Sequence, residues 1–172
     1  MTPAALGYRM PAEWAPHDAI WLAWPHDPTT FPDRLPQAEA AYLNIIESVY
    51  ASERVELLVK DEATCTKVTQ ALAVRKIPES HVRLHVTPYA DVWFRDYGPT
   101  FVVNDRERKL GMVHWQFNAW GGKYEELMKD TEIPEWMNRF LELPRFEPGL
   151  VMEGGSIEVN GDGTVLTTEQ CL

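Results

Sequence analysis

Trp93-Phe94-Arg95-Asp96-Tyr97-Gly98-Pro99-Thr100 is the stretch from which the rest of the chain is read. It follows an apolar, strand-like run, Val82 to Val86, and closes on a Gly-Pro turn, so regular strand gives way here to tight loop. An aspartate sits among three aromatic rings. A carboxylate desolvated without a cationic partner is costly, so Asp96 held among Trp93, Phe94 and Tyr97 calls for a cation, and a planar one suits ring faces. An internal salt bridge from Asp96 to Arg95 or another arginine would answer the same need.

Working outward, the flanking sequence alternates between strand and helix signals. Ala19 to Trp24 reads as a buried strand, and a loop with four prolines, Pro25 to Pro36, leads into a helix over Gln37 to Ala51. There Ala41, Ile45, Ile46 and Val49 recur at helical spacing as a core-facing stripe. Val55 to Val59 is the next strand, and Asp61 is the N-cap of a second helix reaching about Lys76, with Val68, Leu72 and Ala73 inward. His81 to Thr87 alternates Val82, Leu84 and Val86 against His81, Arg83 and His85, the period of a half-buried strand.

Beyond Asp96, Thr100 to Val103 and Leu110 to Gln116 read as strands joined by a charged turn, Asn104 to Lys109. Tyr124 to Leu141 is helical with an irregular middle, Pro134 starting a new helix. Leu150 to Met152, Ser156 to Val159 and Thr164 to Thr168 complete the strands, with a tight turn at Asn160 to Gly163. This alternation predicts an α/β protein. No linker or low-complexity stretch interrupts it.

Composition narrows the function classes. A formal net charge of −10 without a Lys/Arg cluster argues against a nucleic-acid surface. No stretch approaches the roughly 20 apolar residues of a membrane span. Seven tryptophans are many for 172 residues, and indole suits both cores and the walls of cation pockets. Cys65 and Cys171 have neither metal-ligand spacing nor a disulfide framework; with no apolar signal segment at the N-terminus, a reducing cytoplasm is the expected compartment.

Four further segments join Trp93 to Pro99: Met10 to Trp14, Trp21 to Pro25, Phe117-Asn118-Ala119-Trp120-Gly121-Gly122-Lys123-Tyr124, and Glu153-Gly154-Gly155-Ser156. Together and in this order they resemble the agmatine deiminase family, a sister of the bacterial peptidylarginine deiminases within the guanidine-modifying enzymes. The resemblance runs from about Tyr8 to the end and is to the N-terminal half of such proteins. It implies an α/β propeller (pentein) of five ββαβ-type units around a central axis. A chain of this length is expected to form an incomplete propeller, the N-terminal part of one catalytic domain. A second copy or a complementing C-terminal half would then close the ring.

The resemblance also implies a chemistry: hydrolysis of agmatine to N-carbamoylputrescine and ammonia through a cysteine nucleophile, without metal or organic cofactor. Asp96 would pin the guanidinium, since a carboxylate accepts two of its parallel N–H groups at once, and Trp93 would pack on the flat cation. Glu153 would orient the catalytic histidine, its two following glycines letting backbone approach closely. Asn118, Trp120 and Gly121 match the agmatine-type members, Trp120 walling the aliphatic stem. The nucleophile, the histidine and a second pinning aspartate are expected outside these residues, so this chain alone is expected not to turn over. Asp91 is either a second acid or a loop anchor. A peptidyl or free arginine substrate, or a non-catalytic guanidine-binding or assembly module, stays open as an alternative.

Overall fold

The computed structural model describes residues 1–171, which divide into two compact units: Pro16–Phe94, and Met1–Ala15 together with the chain from Arg95 onward. No helix among the described residues is long and apolar enough to cross a membrane.

The Pro16–Phe94 unit is a parallel three-stranded sheet, β1 (Ala19–Ala23), β2 (Arg54–Val59) and β3 (Val82–Val86), in the order β1-β2-β3. Helices α1 (Leu35–Val49) and α2 (Glu62–Val74) make the two crossovers, as parallel neighbours require. Val55 to Val59 is buried at every position, the mark of a central strand covered on both faces. Val55, Leu57 and Val59 pack with Trp24, Ile46, Val68, Leu72, Ile77 and Val82 into one core. Asp61 caps α2 by accepting from the Thr64 N–H at 2.7 Å, as its position predicts.

Several side chains turn the other way from the sequence reading. In α1 the inward residues are Tyr42, Leu43, Ile46 and Val49, while Ile45 is 42% exposed. The helix starts at Leu35 with Pro36 in its first turn, and the aromatic Tyr42, left out of the stripe, takes the core position. Ala73 of α2 is exposed, and the partly buried Cys65 packs on the core instead. His85, expected on a polar face, is buried: it lies 2.5 Å from Glu56 Oε2 and stacks on Trp21 at 5.0 Å. A buried carboxylate next to the ring, itself bonded by Arg54 Nε at 2.5 Å, is what makes that burial tolerable.

The second unit holds a three-stranded sheet of β4 (Thr100–Asn104), β5 (Lys109–Val113) and β6 (Arg145–Phe146), β5 pairing antiparallel with β4 and parallel with β6. Arg9 bridges to Val103, so the N-terminal segment flanks β4, and Tyr8, Val102 and Val113 form its small core with Met10, Trp115 and Phe146. Asn104 closes the β4–β5 turn, accepting from Glu107 N–H at 3.0 Å and donating to the Leu6 carbonyl at 3.0 Å.

Helix α5 (Ile133–Leu141) carries Pro134 in its first turn, close to the expected start, after a 3-10 run from Glu125 to Glu132. Short helical turns α3 (Phe94–Tyr97) and α4 (Ala119–Gly122) carry the candidate residues. Leu150 to Met152 is not a strand; Val151 makes a single bridge to Gln116, and the paired strand is β6, too short to show a period. The last expected strands shrink to β7 (Glu158–Val159) and β8 (Val165–Leu166), joined by a turn in which Asn160 Oδ1 accepts from Asp162 and Thr164.

Candidate functional site

In the unit that starts again at Arg95, the turn bearing Asp96 interlocks with the Glu153-Gly154-Gly155 loop. The Gly155 N–H donates to Asp96 Oδ1 at 3.1 Å, and Arg95 Nε donates to the Gly154 carbonyl at 3.0 Å. Both glycines are dictated by this approach. A Cβ on Gly154 would overlap the Arg95 carbonyl, and one on Gly155 would overlap Asp96 Oδ1.

The internal salt bridge weighed for Asp96 is not what Arg95 makes. Its guanidinium grips Glu13 through two hydrogen bonds, Nη1 to Oε2 at 3.0 Å and Nη2 to Oε1 at 2.6 Å, and reaches the Ile157 carbonyl at 3.4 Å. That pairing pulls the Arg95 pKa upward. Asp96 is half-buried, and burial pushes its pKa above the ordinary aspartate value, against the Gly155 N–H, the charge of Arg95 and the Trp120 indole, which favour the anion.

Trp120 thus reaches Asp96 from a loop that is bent sharply. Ala119, Trp120, Gly121 and Gly122 have φ of 52°, 56°, 77° and 77°. Two of these are not glycine, and holding them left-handed costs energy that local bonds must offset. Asn118 supplies them, its Oδ1 accepting from Gly121 N–H at 2.8 Å and its carbonyl accepting from Gly122 N–H at 2.7 Å. The Trp120 ring meets Phe117 and Tyr124 edge to face at 5.3 and 5.8 Å. Lys123 lies over the Tyr124 ring, 5.2 Å from its centroid.

Asp96, Trp120 and the Gly155 N–H therefore come together, with Asn118 and Gly121 shaping the loop that carries Trp120. Glu153 is half-buried; its carbonyl accepts from Ser156 N–H and Oγ, and its carboxylate forms no hydrogen bond or ion pair among the described residues. Sequence reasoning missed Glu13 and the role of Arg95. The signal was present, because Glu13 lies in the quoted Met10 to Trp14 segment, but nothing local joins residues 82 positions apart.

Trp93 belongs to the other unit. Its indole N–H donates to Asp91 Oδ2 at 2.9 Å, and its ring is 42% exposed. Asp91 is buried and also accepts from Thr30 Oγ1 at 2.6 Å and from the Val92 N–H at 2.8 Å, which makes it an anchor of the loop. In the same unit His26 stacks on Tyr89 at 4.9 Å, its pKa lowered by burial and then by Lys60. Among the described residues no group of three or more His, Cys, Asp or Glu could hold a metal ion.

Comparison with known proteins sets this geometry beside a group of relatives. An agmatine deiminase of Stutzerimonas stutzeri is 38% identical over 99% of this chain and 46% of its own length. One from Medicago truncatula is 34% identical over 99% of this chain and 47% of its own length. The solved agmatine deiminase of Enterococcus faecalis superimposes with a TM-score of 0.83 at 31% identity, over 99% of this chain and 46% of that one. The chain thus spans about half the length of the curated relatives it matches. Residues 9–172 match the model of one family from nearly end to end, and the chain belongs to the Porphyromonas-type peptidyl-arginine deiminases.

Proposed function

We propose that this chain is the N-terminal half of an agmatine deiminase-type hydrolase, a C–N hydrolase that converts agmatine and water to N-carbamoylputrescine and ammonia. The observation that carries the reading is the state of Asp96. Its carboxylate is half-buried, it is held by two neutral N–H donors, and the neighbouring arginine is committed to Glu13. Such an anion is oriented and poorly compensated, the condition in which a flat cation with parallel N–H groups gains most.

In this reading Asp96 pins the guanidinium and Trp120 flanks the stem of the substrate, its loop shaped by Asn118 and Gly121. Glu153 presents an unengaged carboxylate to orient a histidine supplied by the rest of the domain, as is the cysteine that attacks the guanidinium carbon. The fold of the complete domain is the pentein α/β propeller, its ring closed by further polypeptide or a second copy, in the cytoplasm and without a cofactor. In its own unit Trp93 packs on the flat cation, its indole oriented by the hydrogen bond to Asp91.

Calorimetric titration of this chain with agmatine and with an arginine-containing peptide tests the substrate. Agmatine is expected to bind more tightly, and Asp96→Asn to weaken it by about 2–5 kcal/mol, because a buried charge partner is lost. Ammonia release is expected only when the missing half is supplied. Preference for the peptide would move the substrate to protein arginine; native-like agmatine binding by Asp96→Asn would remove the reading.

A further inference from the structure

We propose that Arg95 and Glu13 form a positioning pair that sets the direction of the Asp96 carboxylate and the course of the Glu153 loop. The proposal deepens the function assigned above and rests on that reading only for its substrate. Arg95 ties its own turn to two other segments of this unit, the one bearing Glu13 and the loop from Gly154 to Ile157. Its Nε holds Gly154, its outer nitrogens hold Glu13 through a two-bond fork, and Nη2 also reaches Ile157.

The three carbonyl and carboxylate partners fix the guanidinium plane, and that plane restrains the backbone of residue 95. Asp96 is the next residue. Gly154, whose carbonyl Arg95 holds, is bonded in sequence to Gly155, whose N–H donates to Asp96 Oδ1. A rotation of Arg95 therefore moves both ends of the Gly155–Asp96 hydrogen bond together. Neither glycine leaves slack, since a Cβ at either would overlap the 95–96 segment.

Glu13 is needed because Arg95 is the cation whose charge acts on Asp96. A fork closed on Glu13 satisfies the guanidinium with parallel hydrogen bonds that lysine cannot reproduce. Without it, the arginine is free to turn toward Asp96 and occupy the carboxylate that the substrate must reach. The pair thus has two effects: it orients the loop and keeps the arginine away from the acid. Among the described residues the charged and polar groups that act on Asp96 are Arg95, Gly155 N–H and the Trp120 indole, and those that act on Arg95 include Glu13 and Glu158.

The test compares the native chain with Glu13→Gln and Arg95→Lys, following the Gly155 amide by NMR through a pH titration and measuring agmatine affinity calorimetrically. In the native chain the Gly155 amide is expected to follow a carboxyl titration that disappears in Asp96→Asn. Both pair variants are expected to halve that amplitude or more and to raise the agmatine Kd about fivefold, with Val55 to Val59 resonances unmoved. Glu13→Asp, which keeps the charge, is expected to restore most of both.

A Gly155 titration unchanged in Glu13→Gln overturns the proposal, whatever happens to affinity. If Arg95→Lys does not fold, the milder Glu13→Gln decides alone. Loss of the Gly155 response in a chain that never binds agmatine would uphold the positioning pair while removing the substrate assignment.

Discussion

Asp96 carries two opposed requirements in one side chain. Its folded pKa lies above the ordinary value of 3.8, with burial as the leading cause, so the folded state holds the proton more tightly than the unfolded chain does. The stabilising contribution of the protonated group is complete below the ordinary value and is lost as pH rises through the raised one. At pH 7 the ionised group is a net cost that a ligand would offset. Asp96→Asn is therefore expected to bind agmatine poorly and to unfold no lower than the native chain at pH 7. That advantage should vanish when thermal melts are repeated near pH 3, where the native carboxyl is itself neutral. A lower melting temperature at pH 7 would show that the ionised carboxylate is a net structural support. The sequence made Asp96 legible because its aromatic neighbours are adjacent in the chain. It could not reveal which of two neighbours, Asp91 or Asp96, was already satisfied, since Thr30 lies 61 positions from Asp91.

At the scale of the elements, the elements themselves were readable where a local signal marked them, although which side chains face inward was read less well. Helix α2 follows its capping aspartate, and β2 follows its apolar run, which only Glu56 interrupts. Reading failed where a polar side chain is buried by a partner distant in sequence, as at His85, whose partner Glu56 sits on the adjacent strand. It failed again at β6, where two residues carry no period. The C-terminus of α5 allows a direct check on local strain. Glu142 closes that helix at φ 50°, while Asn138 clasps Leu143 at both its N–H and its carbonyl. A side chain held left-handed costs roughly 1–2 kcal/mol, against about 0.4–1 kcal/mol for the extra freedom of glycine in the unfolded chain. Glu142→Gly is expected to stabilise the protein by about 0.5 kcal/mol in urea titrations. Destabilisation would mean that the exposed Glu142 side chain does more than occupy its backbone position.

Taken as a whole, the molecule distributes its burial unevenly, and that governs where it opens first. The Pro16–Phe94 unit concentrates nine buried hydrophobic residues in one cluster around β2, whereas the small core beside β4 and β5 has three. At the other extreme, β7 and β8 are two residues each, and both β8 residues are exposed, Val165 at 54% and Leu166 at 69%. Local opening free energy follows buried apolar contact and protected backbone hydrogen bonding, from near zero at frayed elements up to the global value in core strands. Hydrogen exchange followed by NMR is therefore expected to rank the amides of Leu57 to Val59 slowest, those of β4 and β5 intermediate, and those of β7 and β8 fastest. The Gly155 amide is the informative exception: its bond to Asp96 and the Arg95 clasp around it should slow it well below the β7 and β8 amides close by in sequence. Exchange at Gly155 as fast as at Val165 would mean that the Glu153 loop opens freely. A loop that opens freely cannot hold a carboxylate in register for catalysis.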